Sequence, residues 1–266
     1  ELSTRALDKI MSFGEQLSAY IISEAIKDRK ISCQFVDSRF LIKTDNNFGS
    51  ANVDIKTTYE LLANYFQLHQ ELSIMGGFIA STSDEIATTL GRGGSDYTAS
   101  LVGAAVNAEV VEIWTDVDGV MTADPRKVRD AFPLSQISYE EAGELAHFGA
   151  KVIHPKTMKP ARLKNIPIDI KNTFNPRAVG TRISSGQSDQ HFLIKGISSL
   201  GGIALLRGQS NNGKSIGEVA AKIFDVCSRC EIEVLLITQA SHEQAISIAV
   251  SRNQAIKAKN AFSHIR

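Results

Sequence analysis

Thr88-Thr89-Leu90-Gly91-Arg92-Gly93-Gly94-Ser95-Asp96-Tyr97-Thr98-Ala99 is a glycine-dense turn that carries Arg and Asp and opens onto a helical run. Gly93 and Gly94 lack Cβ atoms, so their amides can come close to a ligand. The helix expected to begin near Asp96 adds unpaired N–H groups and the positive end of its dipole. Such a turn can hold an anion, although one glycine loop alone is weak evidence. Its weight comes from the next landmark. After the helix and the apolar run Val110-Val111-Glu112-Ile113-Trp114 stands Thr115-Asp116-Val117-Asp118-Gly119-Val120-Met121-Thr122-Ala123-Asp124-Pro125-Arg126, which sets polar groups at the end of a strand. Open α/β sheets present ligand-binding groups at that place.

Outward from these two turns, the short apolar runs 31–36, 72–79 and 110–114 alternate with helical stretches at 53–70 and 98–106. This alternation predicts a three-layer αβα, mainly parallel α/β arrangement with helices on both faces of the sheet. Ser138-Tyr139-Glu140-Glu141 has capping-box spacing and predicts a helix toward His147; a second helix is expected at 155–164 and a strand at 166–171. The polar stretch 184–190 has no apolar period and reads as a linker. A second unit follows, with strands expected at 192–197 and 203–206, a helix at 216–227, strands at 232–238 and around Ile246, Ile248 and Val250, and a helix from Asn253.

Composition narrows the function classes. The 266 residues are 43% hydrophobic and 22% charged, which is ordinary for a globular protein, and Lys plus Arg balance Asp plus Glu at 29 each. There is no basic excess to attract nucleic acid or an anionic membrane surface. Three cysteines cannot all pair, and no signal-like or spanning apolar run is present, so a cytoplasmic setting is expected. Cys227 and Cys230 form C-x-x-C at the end of an amphipathic helix with no second pair, which points to packing rather than metal or redox chemistry.

In these two turns, and in Phe13-Gly14-Glu15-Gln16-Leu17-Ser18, Gly77-Phe78-Ile79, Phe148-Gly149-Ala150-Lys151-Val152-Ile153-His154-Pro155, Lys171-Asn172-Thr173-Phe174-Asn175-Pro176 and Leu235-Leu236-Ile237-Thr238-Gln239-Ala240-Ser241, the chain resembles the aspartate kinases of the amino-acid kinase family. Ordered matches across nearly the whole chain are far more specific than any one of them. The resemblance implies an amino-acid kinase catalytic domain at 1–184 and a partial, ferredoxin-like ACT regulatory domain at 191–266. Family members open with a strand and a Lys-Phe-Gly-Gly-Thr-Ser-type loop. This chain begins at Glu1 inside an apolar pattern of helical spacing (Ile10, Phe13, Leu17, Ile21) without such a loop, so it reads as a fragment, and its ACT unit reads as lacking a last strand.

Phosphoryl transfer to a carboxylate needs no general base, because the nucleophile is already ionised near pH 7; the protein must offset anion repulsion and align the groups. Arg92 suits a bidentate grip on an α-carboxylate, with the amides of Gly93 and Ser95 beside it, and Glu15 suits an α-ammonium. The resemblance adds Phe78 to the substrate side and sets Asp96 beside the transferred phosphate, orienting a cation or, through water, Mg²⁺; its bland reading is the helix N-cap. The resemblance also assigns Thr115, Asp116, Asp124, Arg126 and Lys151 to the nucleotide. Asp124 and Arg126 have the alternative of a surface ion pair, and Met121 stands where some relatives carry an aromatic residue. His154 reads as a structural hydrogen-bonding histidine, and no protein-held metal centre is expected.

One motif is a decoy. Gly208-Gln209-Ser210-Asn211-Asn212-Gly213-Lys214-Ser215 satisfies G-x-x-x-x-G-K-[ST], but the next strand ends in Thr-Gln without a Walker B aspartate. The 51 residues after Ser215 cannot supply a P-loop core. In the ACT reading this loop, Gly217 and Gln239 belong to an effector site, and the Leu-Ile-Thr-Gln stretch resembles threonine-sensitive and bifunctional members more than lysine-sensitive ones. The implied reaction is ATP- and Mg²⁺-dependent conversion of L-aspartate to L-aspartyl 4-phosphate under amino-acid feedback, in a homo-oligomer assembled through ACT domains. Rival readings are glutamate or acetylglutamate kinase and a non-catalytic amino-acid-binding portion of such an enzyme.

Overall fold

Helical spacing in the first stretch is obeyed, but its apolar face points outward. In a computed structural model describing residues 2–147, 153–186, 194–209, 215–239 and 245–263, helix α1 (Thr4–Asp28) buries Asp8, Ser12, Ala19 and Ser23. It leaves Ile10, Phe13, Leu17 and Ile21 between 51% and 63% exposed. Periodicity gives the phase of a helix, whereas the surface beside it decides which face is buried.

Contacts divide the chain into units Glu1–Ser199 and Leu200–Arg266. The first unit continues past the expected linker, of which 187–190 lie outside the described residues. After α1 come β1 (Cys33–Val36), α2 (Ser38–Leu41), α3 (Ile55–Leu68), β2 (Leu72–Met75), β3 (Ile79–Ser81), β4 (Ala87–Thr89), α4 (Gly94–Val106), β5 (Val111–Thr115), β6 (Gln136–Ser138), α5 (Tyr139–His147), α6 (Pro155–Leu163), β7 (Ile168–Asn172) and β8 (Thr181–Ser184). β1 pairs with β2, β5 with β7 and β6 with β8 in parallel; β3 with β4 and β7 with β8 are antiparallel. The sheets are thus mixed with a parallel majority. The run 72–79 breaks into two strands at Gly76-Gly77-Phe78, where Phe78 has φ 69°.

Two cores flank α4. Leu101 joins Val36, Ile42 and Leu62 in one, and Ala99 packs against Val111, Ile168 and Ile170 in the other. A helix held on both sides makes a rigid base for whatever its N-terminus carries. Leu62→Ala, at a fully buried position, is expected to cost about 2 to 5 kcal/mol. Leu17→Ala, at 59% exposure, should cost no more than about 0.5 kcal/mol. Urea midpoints test the contrast, and equal losses would mean that the outward face of α1 is not exposed in solution.

The second unit runs β9 (Ile203–Gln209), α7 (Ile216–Arg229), β10 (Val234–Gln239), β11 (Ala245–Ser251), a 3-10 turn and α8 (Ala255–Phe262), with strand order β10-β11-β9, all antiparallel. Ile223, Ile246, Ile248 and Val250 form its core together with Cys227, against which Cys230 packs. Both thiols and that of Cys33 are free, and burial pushes the Cys227 thiol up. The strand expected at 192–197 is corrected: 192–193 lie outside the described residues, and 194–199 form no strand. The Ile197 amide donates instead to the Thr122 carbonyl at 2.8 Å, so this backbone is bound to a loop rather than to a sheet ladder. The P-loop-like segment falls largely on 210–214, outside the described residues. Among the described residues no helix is long and apolar enough to cross a membrane.

Candidate active site

The glycine-rich turn enters α4 through Gly93, which holds φ 73° as the helix N-cap, a conformation that costs little only without a Cβ. This overturns the capping role considered for Asp96. The helix starts earlier than expected, at Gly94, so Asp96 is its third residue and its side chain is released from capping. No side chain caps the helix, and among the described residues the amides of Ser95 and Asp96 have no acceptor. Two N–H groups at a dipole's positive end are therefore open to an anion.

The Gly76-Gly77-Phe78 turn fits directly against this helix start. A Cβ on Gly77 would stand 2.9 Å from the Ser95 Cα, and one on Gly94 would stand 2.7 Å from Phe78 Cδ2. Phe78, in a backbone region unfavourable for an aromatic residue, is pinned on both sides. Its amide donates to Thr98 Oγ1 at 3.1 Å, and its carbonyl accepts from the Leu90 amide at 2.9 Å. The same turn meets α1, because a Cβ on Gly76 would stand 3.2 Å from the Glu15 carbonyl oxygen and 3.5 Å from its Cβ. Glu15, Phe78, Gly93, Ser95 and Asp96 are thereby gathered from three distant stretches of chain, with the exposed Arg92 at the lip of the turn.

Asp96 is half-buried and has no partner among the described residues, and burial pushes its carboxyl up from the usual carboxylate range. His154 caps α6, its Nδ1 accepting from the Lys156 amide at 3.3 Å, which matches the structural role expected of it. Burial first, then the charges of Arg92 and Lys156, hold this imidazole down and favour the neutral form that a cap requires. The start of α6 also supports Gly93, where a Cβ would stand 3.0 Å from both His154 Cβ and Thr157 Cγ2.

A second group forms at the end of β5. Thr115, Asp116, Asp124 and Arg126 line one cavity of about 420 Å³ that Met121 also borders. Asp124 accepts from the Arg126 amide and guanidinium at 3.0 Å, and this bonding holds its carboxyl down; Arg126 is 80% exposed. The pair is thus both a surface ion pair and part of the cavity wall. Asp118 anchors the turn by accepting from Asn172 Nδ2 at 2.8 Å and Asn175 Nδ2 at 3.1 Å. No role was expected for Asp118, although all three residues lie within the quoted motifs. A Cβ on Gly103 would reach Val111 at the start of β5. From there α4 runs back about 13 Å while β5 runs forward a similar distance. The two groups therefore lie toward the same end of the unit. Lys151 lies outside the described residues.

In the second unit, Ser215 Oγ accepts from the Glu218 amide at 3.3 Å and so caps α7, which leaves the amides of Ile216 and Gly217 without acceptors among the described residues. Gln239 ends β10, opposite Ile246 and exposed. Among the described residues no group of three or more His, Cys, Asp or Glu could hold a metal ion.

Comparison with known proteins places the chain in a family. Residues 1–172 match the amino acid kinase family, and residues 211–264 match an ACT domain. The chain is 38% identical over 255 residues to a bifunctional aspartokinase/homoserine dehydrogenase of Buchnera aphidicola, covering 96% of this chain and 31% of that protein. It is 37% identical over 243 residues to lysine-sensitive aspartokinase 3 of Escherichia coli, covering 91% of this chain and 54% of that one. The crystal structure of E. coli aspartokinase III in complex with aspartate and ADP superposes with a TM-score of 0.79 at 36% identity, covering 94% of this chain and 56% of the other. The chain thus spans between about a third and just over half of the relatives it matches.

Proposed function

Because this chain belongs to the amino acid kinase family and carries an ACT domain after the kinase unit, we propose that it serves an ATP-dependent aspartate kinase that makes L-aspartyl 4-phosphate, the entry to lysine and threonine biosynthesis. The observation that carries this reading is the meeting of Glu15, the Phe78 turn and the uncapped start of α4 beside Arg92. One carboxylate for an ammonium, set against a guanidinium and two open amides for a carboxylate, is the complement of an α-amino acid. E. coli aspartokinase III, similar along 94% of this chain, has been crystallised with aspartate and ADP.

In this mechanism Arg92 and the open amides hold the α-carboxylate, Glu15 holds the α-ammonium, and Phe78 shapes the wall between them. The side-chain carboxylate attacks without a base, and the protein's work is alignment and charge compensation. ATP takes the cavity at Thr115 and Asp116, with Asp124 and Arg126 in its wall; Lys151, outside the described residues, is assigned to the nucleotide by the family resemblance alone. Asp96, without a partner among the described residues, would hold the Mg²⁺ that accompanies ATP, an ion that needs only one or two protein carboxylates and would supply charge neutralisation at the phosphates. In the complete gene product, ADP release should depend on L-aspartate, and hydroxylamine should trap an acyl phosphate. Turnover that prefers glutamate or N-acetylglutamate would overturn the reading.

The effector is read as threonine, recognised by Gln239 through its hydroxyl and by the Ile216 and Gly217 amides through its carboxylate. Identity to bifunctional and lysine-sensitive relatives is nearly equal, at 38% and 37%, so this choice rests on the Thr238-Gln239 strand end. Gln239→Ala should weaken threonine inhibition several-fold and leave uninhibited turnover nearly intact, as coupling between separate sites requires. Threonine that neither inhibits nor binds by calorimetry, while lysine does both, would sink the assignment. Pairing of copies through ACT domains and a cytoplasmic location complete the reading.

A further inference from the structure

A buried carboxylate outside the proposed chemistry links both arms of the amino-acid site. Asp8, on α1 and 1% exposed, accepts through Oδ2 from the Gly49 amide at 2.9 Å and the Thr89 amide at 3.0 Å, and through Oδ1 from Thr89 Oγ1 at 2.8 Å. Thr89 ends β4, three residues before Arg92. The loop holding Gly49 supports the same turn, since a Cβ on Gly91 would stand 3.0 Å from Ser50 Oγ and 3.3 Å from the Gly49 carbonyl oxygen. The Thr89 carbonyl accepts from the Ala51 amide at 2.9 Å, which closes the loop onto the strand. Seven residues further along α1, close to two helical turns and about 10 Å, stands Glu15 on nearly the same face.

We infer that Asp8 is a positioning residue that fixes the span between Glu15 and the Arg92 turn, and so the fit of the amino acid's ammonium and carboxylate; the inference rests on the proposed amino-acid site. The span is held at two points. Gly76 and Gly77 wedge between Glu15 and Ser95 on one side, and Asp8 ties α1 to the strand and loop under Arg92 on the other. Without Asp8, the buried Thr89 amide and the part-buried Gly49 amide lose their acceptor, and α1 loses its tie to β4. A misplacement of about 1 Å at such a site is enough to lower the rate on the order of 100-fold.

Asparagine separates this role from a role in charge. In Asp8→Asn the side-chain amide oxygen can take both backbone N–H groups while its nitrogen donates to Thr89 Oγ1, whose hydroxyl rotates to accept. In the complete gene product, Asp8→Ala should raise the KM for aspartate at least tenfold with the KM for ATP within twofold, and Asp8→Asn should restore the aspartate KM to within threefold of wild type. Should Asp8→Ala fail to fold, Thr89→Val, which removes one of the three bonds, is expected to raise the aspartate KM about threefold and carries the test. Unchanged aspartate KM in a folded Asp8→Ala, or in Thr89→Val where it is the only usable variant, would overturn the inference and leave the amino-acid site standing. A wild type that turns over no aspartate would instead remove the site, and the inference with it.

Discussion

Arg92→Ala is expected to raise the KM for L-aspartate by about 30- to 700-fold while leaving the KM for ATP unchanged. The α-carboxylate would lose a bidentate, charge-assisted partner at a cost of roughly 2 to 4 kcal/mol, and each 1.4 kcal/mol is a factor of ten. The geometry predicts the selectivity as well as the size. Arg92 lies at the lip of the Gly91–Gly94 turn and does not line the cavity formed by Thr115, Asp116, Asp124 and Arg126. Arg92→Lys should recover only part of the loss, since an ammonium supplies the charge without the planar fork. Steady-state kinetics on the complete gene product decide the matter, and an aspartate KM that moves less than threefold in Arg92→Ala removes Arg92 from the site.

For Asp96→Asn the expected loss is in kcat, on the order of 100-fold, with substrate KM values little changed. A group that organises charge around the moving phosphoryl acts mostly in the transition state. The substitution is a clean probe because Gly93, not Asp96, occupies the N-cap position of α4, so no helix cap is lost with the carboxylate. Stability should move the other way. Burial raises the Asp96 carboxyl above its ordinary 3.8, and although a first-turn carboxylate gains from the helix dipole, burial with no partner among the described residues wins. A raised carboxyl contributes stability below its unfolded value and loses it as pH rises through the folded one. Ionised Asp96 therefore costs stability at neutral pH, and Asp96→Asn should melt higher than wild type at pH 7, with the gap closing as pH falls toward 3.8. Full turnover by Asp96→Asn would remove the mechanistic role; a lower melting point at pH 7 would mean that an uncounted partner holds the charge.

These residues were legible to different degrees. Arg92, Ser95 and Asp96 stand in one contiguous turn, and Thr115, Asp116, Asp124 and Arg126 in another, so glycine density and position at a strand's end mark the two turns, while the resemblance supplied the roles of Asp96 and of the second group. Glu15 and Phe78 were legible only through the family resemblance. Asp8 gave no signal, because a lone Asp in a helical pattern reads as solvated until its oxygens are seen to be filled by Gly49 and Thr89.

The sequence by itself determined the local elements and the two polar turns at their ends. Apolar period, glycine and turn residues act through neighbours a few positions away, and most of the expected helices and strands form within a few residues of their expected ends. Tertiary structure alone decided three things. It turned Ile10, Phe13, Leu17 and Ile21 outward and Asp8 inward, since periodicity carries no information about which surface a face will meet. It started α4 at Gly94 rather than near Asp96, since the left-handed conformation of Gly93 is set where the turn meets His154 and Thr157. It also brought Glu15, Phe78 and Ser95 together through contacts between residues as far as 61 positions apart (Glu15 and Gly76), closed by Gly76 and Gly77 having no side chains to hold them off.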